Sequence, residues 1–197
     1  MAGLAACVTT HGGRGSREAA APEEFDWLDE VTIDEGVPPC TDDDKAVLMR
    51  SLRGLTSSDF AVYSSAARSI VALGEPATPY LGYAAGDATR PESLRARVRI
   101  VLRAVYAQAE PKTVGAGLTA SYPAVRAASA EAAGKRRIVE FASVLVTLLD
   151  DADVDVRQES VSALRRISNS FFGYHARASE RARAESVTRW RELWPPS

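Results

Sequence analysis

Apolar residues recur along this chain at a step of 31 positions. Tyr63, Leu94, Val125 and Val156 form one column, and Ala67, Val98, Ser129 and Ser160 a second. Ile70, Val101, Ala132 and Ala163 form a third, and Val71, Leu102, Ala133 and Leu164 a fourth. Within each unit these columns stand at i, i+4, i+7 and i+8, the positions that share one face of an α-helix. Leu52, Tyr83, Val114 and Leu145, about half a period away, obey the same step, so each unit holds two amphipathic helices. A single helix pair cannot bury its apolar face alone, and units of this size become stable by stacking. The expected fold is all-α, an α-solenoid of about four two-helix repeats over residues 44–168. An N-terminal segment, 1–43, precedes it, and a cap at 169–197 closes it.

Punctuation along the chain agrees with this division. The first unit runs from about Asp44 to Leu73 and is interrupted by Thr56-Ser57-Ser58-Asp59, side chains that favour N-caps over helix interiors. Gly74-Glu75-Pro76 opens the next unit, with glycine past one helix end and proline at the start of another. Its helices are separated by Asp87 to Glu92, and Leu94, Val98, Val101, Leu102 and Val105 form one stripe reaching to about Gln108. The third unit is the weakest: Val125, Ala128, Ala132 and Ala133 are followed by Lys135-Arg136-Arg137 where a core residue is due. Looser packing, or closer helix approach through alanine, is expected there. The fourth unit recovers the pattern with Phe141, Leu145, Leu148 and Leu149, then Val156, Leu164 and Ile167 around the turn Asp150-Asp151-Ala152-Asp153. In the last segment Val187, Trp190 and Trp194 stand at i, i+3 and i+7, so one stripe of an arginine-rich helix is suited to covering the end of the stack.

The body resembles bacterial HEAT-like repeat proteins, including the short repeats also found in phycobilisome lyase-type proteins. The resemblance covers roughly residues 44–168. It is carried by Leu73-Gly74-Glu75-Pro76-Ala77-Thr78-Pro79-Tyr80-Leu81, which looks like the family's turn between repeats, and by Asp155-Val156-Arg157, which looks like the start of its second helix. Asp151 and Arg157 match the spacing of the aspartate and basic residue that form a structural ladder in such repeats; the first three units lack that aspartate. Residues 171–194 are similar to the closing segment of many bacterial members. The resemblance implies a scaffold for other proteins and permits, as alternatives, a phycobilin lyase-like enzyme or accessory, or nucleic-acid binding of the kind seen in HEAT-like DNA glycosylases.

Charge changes this picture at one end. Residues 1–44 carry eleven acids against Arg14 and Arg17, a net −9, and the remainder carries +7. Such asymmetry suits an acidic partner for the body, or an N-terminal segment that covers it. Residues 8–22 are rich in small residues and 23–44 hold ten acids and no base, a composition expected to stay disordered. Phe25, Trp27, Leu28, Val31 and Ile33 make an apolar cluster inside the acidic run, a candidate docking motif. Leu4-Ala5-Ala6-Cys7 resembles a bacterial lipobox, which makes Cys7 a candidate lipidation site, but a basic start and an apolar stretch of roughly 7–15 residues should precede it. The expected compartment is the cytoplasm for the chain as written, and the cell envelope if an upstream start supplies that stretch. No later run reaches the about 18 apolar residues of a membrane span. Cys7 and Cys40 imply no disulfide framework.

Catalytic chemistry is weakly supported. His11 and His175 are far apart and neither stands near a nucleophile or at metal-ligand spacing, so no catalytic residue, metal site or cofactor is expected. Gly115-Ala116-Gly117 lacks the strand and third glycine of a phosphate loop and is expected to mark close helix approach. With 94, 98, 101, 102 and 105 facing the core, Arg99 and Arg103 face outward, and the same columns hold Arg68 and Arg165. These four arginines are expected to form a positive strip for an acidic peptide, a phosphate-bearing ligand or the chain's own residues 23–44. Nucleic acid is not expected, because the body's charge is modest and aromatic residues do not interleave with the basic ones. A protein partner is.

Overall fold

The apolar columns become four helix pairs in the computed structural model, which describes residues 27–195. These are α1 (Asp42–Leu55) and α2 (Phe60–Leu73), α3 (Thr78–Gly86) and α4 (Glu92–Gln108), α5 (Pro111–Gly117) and α6 (Pro123–Lys135), α7 (Ala142–Thr147) and α8 (Val154–Ser168), followed by α9 (Glu180–Leu193). Among the described residues the molecule is all-α, without a strand. Helix starts follow from side chains that satisfy the exposed N–H groups of a first turn. Thr41 and Asp44 form a reciprocal capping box on α1, Asp59 and Asp153 accept from the first amides of α2 and α8, and Ser179 caps α9. Helices α3, α5 and α6 carry proline in the first turn instead, where its missing N–H costs nothing.

Each first helix packs on the second helix of its own unit, and the second helices follow one another, α2 on α4, α4 on α6 and α6 on α8. Leu48, Leu55, Ile70, Leu81, Val98, Leu102, Leu118, Leu145, Leu149 and Leu164 are fully buried, so one core runs through all four pairs. The weak third unit is resolved by close approach rather than loose packing. Helix α6 buries Ala127, Ala128, Ala130, Ala132, Ala133 and Gly134, and at Gly134 a Cβ would stand 2.5 Å from the Ala163 Cα of α8. The run Lys135-Arg136-Arg137 is the end of that helix, with the Arg136 guanidinium donating to the Ala109 carbonyl at 2.6 Å. The small residues of α5 serve the same purpose: a Cβ on Gly117 would meet the Tyr106 hydroxyl, and one on Gly115 the Phe141 ring.

The C-terminal stripe covers the last pair. Trp190 is fully buried, stacks on Trp194 at 5.9 Å between ring centres and meets the edge of Phe172 at 4.6 Å, while α9 packs on α7. The segment before α9 is tied down by Arg157, which donates to the Ala176 carbonyl at 3.0 Å, and by Tyr174, whose hydroxyl donates to the Leu149 carbonyl.

One boundary moves. Residues 27–40 fall inside the segment expected to be disordered up to 43, yet they lie against the helices, with Trp27 and Cys40 in the core and Leu28 and Val31 packed on it. Composition predicted otherwise because the acids dominate the average, whereas the anchoring depends on a few apolar and hydrogen-bonding groups. Cys7, Arg14, Arg17 and Phe25 lie outside the described residues.

Candidate functional site

Two faces of the stack carry concentrated side-chain chemistry. The first is formed by the second helices. Between α4 and the N-terminal ends of α6 and α8 lies a cleft of about 330 Å³, with Ala85, Gly86, Ala124 and Ala127 against Arg99 and Arg103 on one side and Asp153 and Asp155 on the other. Helix phase dictates this: with Val98, Val101, Leu102 and Val105 buried, positions 99 and 103 fall one turn apart on the outer side.

The arginines here do not form an unopposed positive strip. Arg99 is held by Glu92 and by the Ala85 carbonyl. Arg103 bridges Glu131 of α6 and Glu159 of α8, each at 3.0 Å, and Lys135 also pairs with Glu131. Burial lifts the Glu159 carboxyl above its ordinary range, and Arg103 pulls against that rise. Arg68 is exposed and donates to the Ser64 hydroxyl at 2.8 Å. Arg165, in the last turn of α8, is tied to the C-terminal segment instead, donating to the Tyr174 carbonyl at 2.9 Å with its guanidinium against the Phe171 ring, and burial lowers its pKa. Of the four, the fold brings together only Arg99 and Arg103 at one cleft.

The ladder residues are assembled differently from the sequence expectation. The side-chain partner of Asp151 is Arg126 of the preceding unit, which grips both carboxylate oxygens at 2.8 and 3.0 Å. Arg157 donates instead to the main-chain carbonyls of Asp151 and Ala152. One step of 31 earlier, Arg126 donates to the carbonyls of Ala120 and Ser121. Arg126 was legible as the counterpart of Arg157 in the same column. The link from one unit to the next was not, because it needs a distance.

The second face holds residues 27–40 as a strap across the α3–α4 and α5–α6 turns. Trp27 stacks flat on Tyr83 of α3 at 5.2 Å, with Arg90 over its ring at 4.5 Å, so the indole meets both an aromatic face and a guanidinium. The Tyr83 hydroxyl donates to Glu30 at 2.9 Å, and this bond, with burial, raises the phenol's pKa. The Thr32 amide donates to the Tyr122 hydroxyl at 2.8 Å. Asp34 accepts from the amide of Ser121 at 3.1 Å and from its hydroxyl. Cys40 closes the strap by donating its thiol to the Pro76 carbonyl at 3.2 Å, and burial pushes that thiol up to about 11. The acidic segment therefore meets the body, but on this face; no bond joins Arg68, Arg99, Arg103 or Arg165 to it among the described residues.

Among the described residues no cluster of three histidine, cysteine or acidic side chains is placed to hold a metal ion, and no helix is long and apolar enough to cross a membrane. No protein-family model and no curated protein matches this chain.

Proposed function

We propose that this chain is a non-enzymatic protein-binding scaffold, built as a HEAT-like solenoid of two-helix repeats with a C-terminal cap helix. The observation that carries the reading is the serial contact of α2, α4, α6 and α8, which lays four second helices side by side and opens the cleft between Arg99, Arg103, Asp153 and Asp155 in that surface. An array of this kind offers a partner a surface longer than any one helix pair provides. Both signs of charge rim the cleft, which suits a protein segment carrying acids and bases. The glutamates beside Arg99 and Arg103 weigh against a polyphosphate such as nucleic acid, whose binding relies on uncompensated cations.

A photo-crosslinking side chain placed at Ala124 in the cleft, compared in cells with one at exposed Lys112 on α5, tests this. A discrete protein adduct is expected from position 124, absent from position 112 and weakened when Arg99→Glu is added. Equal labelling at both positions, or labelling indifferent to Arg99→Glu, overturns the cleft as the docking site.

A further inference from the structure

The strap is bound to the helices in a way that separate chains also use. Between residues 27–40 and the helices every hydrogen bond involves a side chain; the backbone bond within the strap, Val37 to Asp34, is local. A segment joined by a continuous backbone ladder is part of the fold. A segment held by a stacked ring and a few side-chain acceptors is held by its sequence, and another segment with the same groups at the same spacing would satisfy the same seat. The required pattern can be read directly: an aromatic ring at Trp27, an acid three residues later at Glu30, a free amide at position 32 and a second acid at Asp34.

The fit of the strap is also incomplete. The Trp27 indole N–H is buried without a partner, a penalty that phenylalanine at this position avoids. A cavity of about 220 Å³ remains beneath the strap, bordered by Asp34, Val37, Thr78, Tyr106 and Thr113, so its C-terminal half does not fill the surface below it. The bonds at Glu30, Thr32 and Asp34 are solvent-exposed, which places this segment among the elements that open most readily.

We infer that the seat formed by Tyr83, Arg90, Ser121 and Tyr122 is a docking site for a partner protein's segment of aromatic and acidic residues, with acids three and seven positions after the ring. The chain's own residues 27–40 occupy it until such a segment replaces them. This surface is distinct from the cleft at Arg99 and Arg103 and does not depend on it.

A fluorescein-labelled synthetic peptide with the sequence of residues 24–37 tests the inference on the full chain. Weak binding to the wild-type chain is expected, because the strap competes in cis. The double variant Trp27→Ala, Asp34→Ala vacates the seat and should bind the peptide at least tenfold tighter. Adding Arg90→Glu, which sets an acid against the peptide's acids, should remove that gain; adding Arg99→Glu should leave it intact, separating this site from the cleft. Equal affinity for the wild type and the double variant, or a gain that survives Arg90→Glu, overturns the proposal. Hydrogen exchange on the wild-type chain gives a check free of substitutions. Saturating unlabelled peptide should speed exchange at the Thr32 amide while the Ser121 amide, which the peptide's own aspartate now accepts from, stays protected. A Thr32 amide that remains protected at saturation rejects displacement.

Discussion

At Gly134 the backbones of α6 and α8 come so close that the missing methyl group is itself a structural feature. A Cβ there would stand 2.5 Å from the Ala163 Cα and 2.7 Å from its Cβ, and neither neighbour is the movable tip of a long side chain. Alanine favours a helix over glycine by about 1 kcal/mol, which is the smaller effect. Prying two packed helices apart typically costs about 1–3 kcal/mol. Gly134→Ala is therefore expected to destabilise the chain by a net of about 1 kcal/mol in urea unfolding. Gly86→Ala serves as the contrast: nothing lies within 4 Å of a Cβ at the exposed end of α3, so this change should be neutral or stabilise by about 0.5 kcal/mol. A Gly134→Ala chain as stable as the wild type would show that the two helices separate at little cost.

At the scale of elements, units three and four are clasped by Arg126 and Asp151. Their side chains are largely buried, and Asp151 also accepts from the Asp153 amide at 2.8 Å, so one carboxylate orders the α7–α8 turn and fastens it to α6. Removing it leaves a guanidinium without its charge partner in a poorly hydrated place, at a cost of about 3 kcal/mol. The neighbouring Asp150 pairs with Arg191 at 2.9 Å where both are about half exposed, and its loss should cost less than about 1 kcal/mol. Urea midpoints of Asp151→Ala and Asp150→Ala measure the difference; equal midpoints would mean the clasp contributes no more than a surface pair. The helix pairs were legible in the sequence because apolar spacing and capping residues are local. Helix bounds such as Phe60–Leu73 and Glu92–Gln108 follow from Asp59, Pro91 and the stripe between them. Of the strap only the apolar cluster with Trp27, Leu28 and Val31 was legible; its polar partners and the clasp were not, since Arg126 finds its acid 25 residues away and Asp34 finds Ser121 at 87. Ala120 stands where the fourth unit has Asp151. The carboxylate that this turn lacks in its own unit arrives on the strap, as Asp34 against Ser121.

At the scale of the whole molecule, serial stacking sets how far a disturbance travels. Stability in such an array is close to a sum of unit terms and nearest-neighbour interfaces, so damage at one end is felt first beside it. Trp190 is the test of this, being fully buried against Phe172 and Trp194 at the end opposite α1 and α2. Trp190→Ala removes about 3–5 kcal/mol of packing from the cap. Because α9 rests on α7, and α7 on α8, the loss should appear as faster hydrogen exchange at α7 and α8. Amides of α1 and α2, separated from the cap by three helix pairs, should keep their wild-type rates under the same native conditions. A closed bundle with one cooperative core would behave differently, lowering protection in α1 and α8 by the same factor. Uniform loss would overturn the solenoid reading of the stack, and with it the expectation that a partner meets these second helices as one extended face.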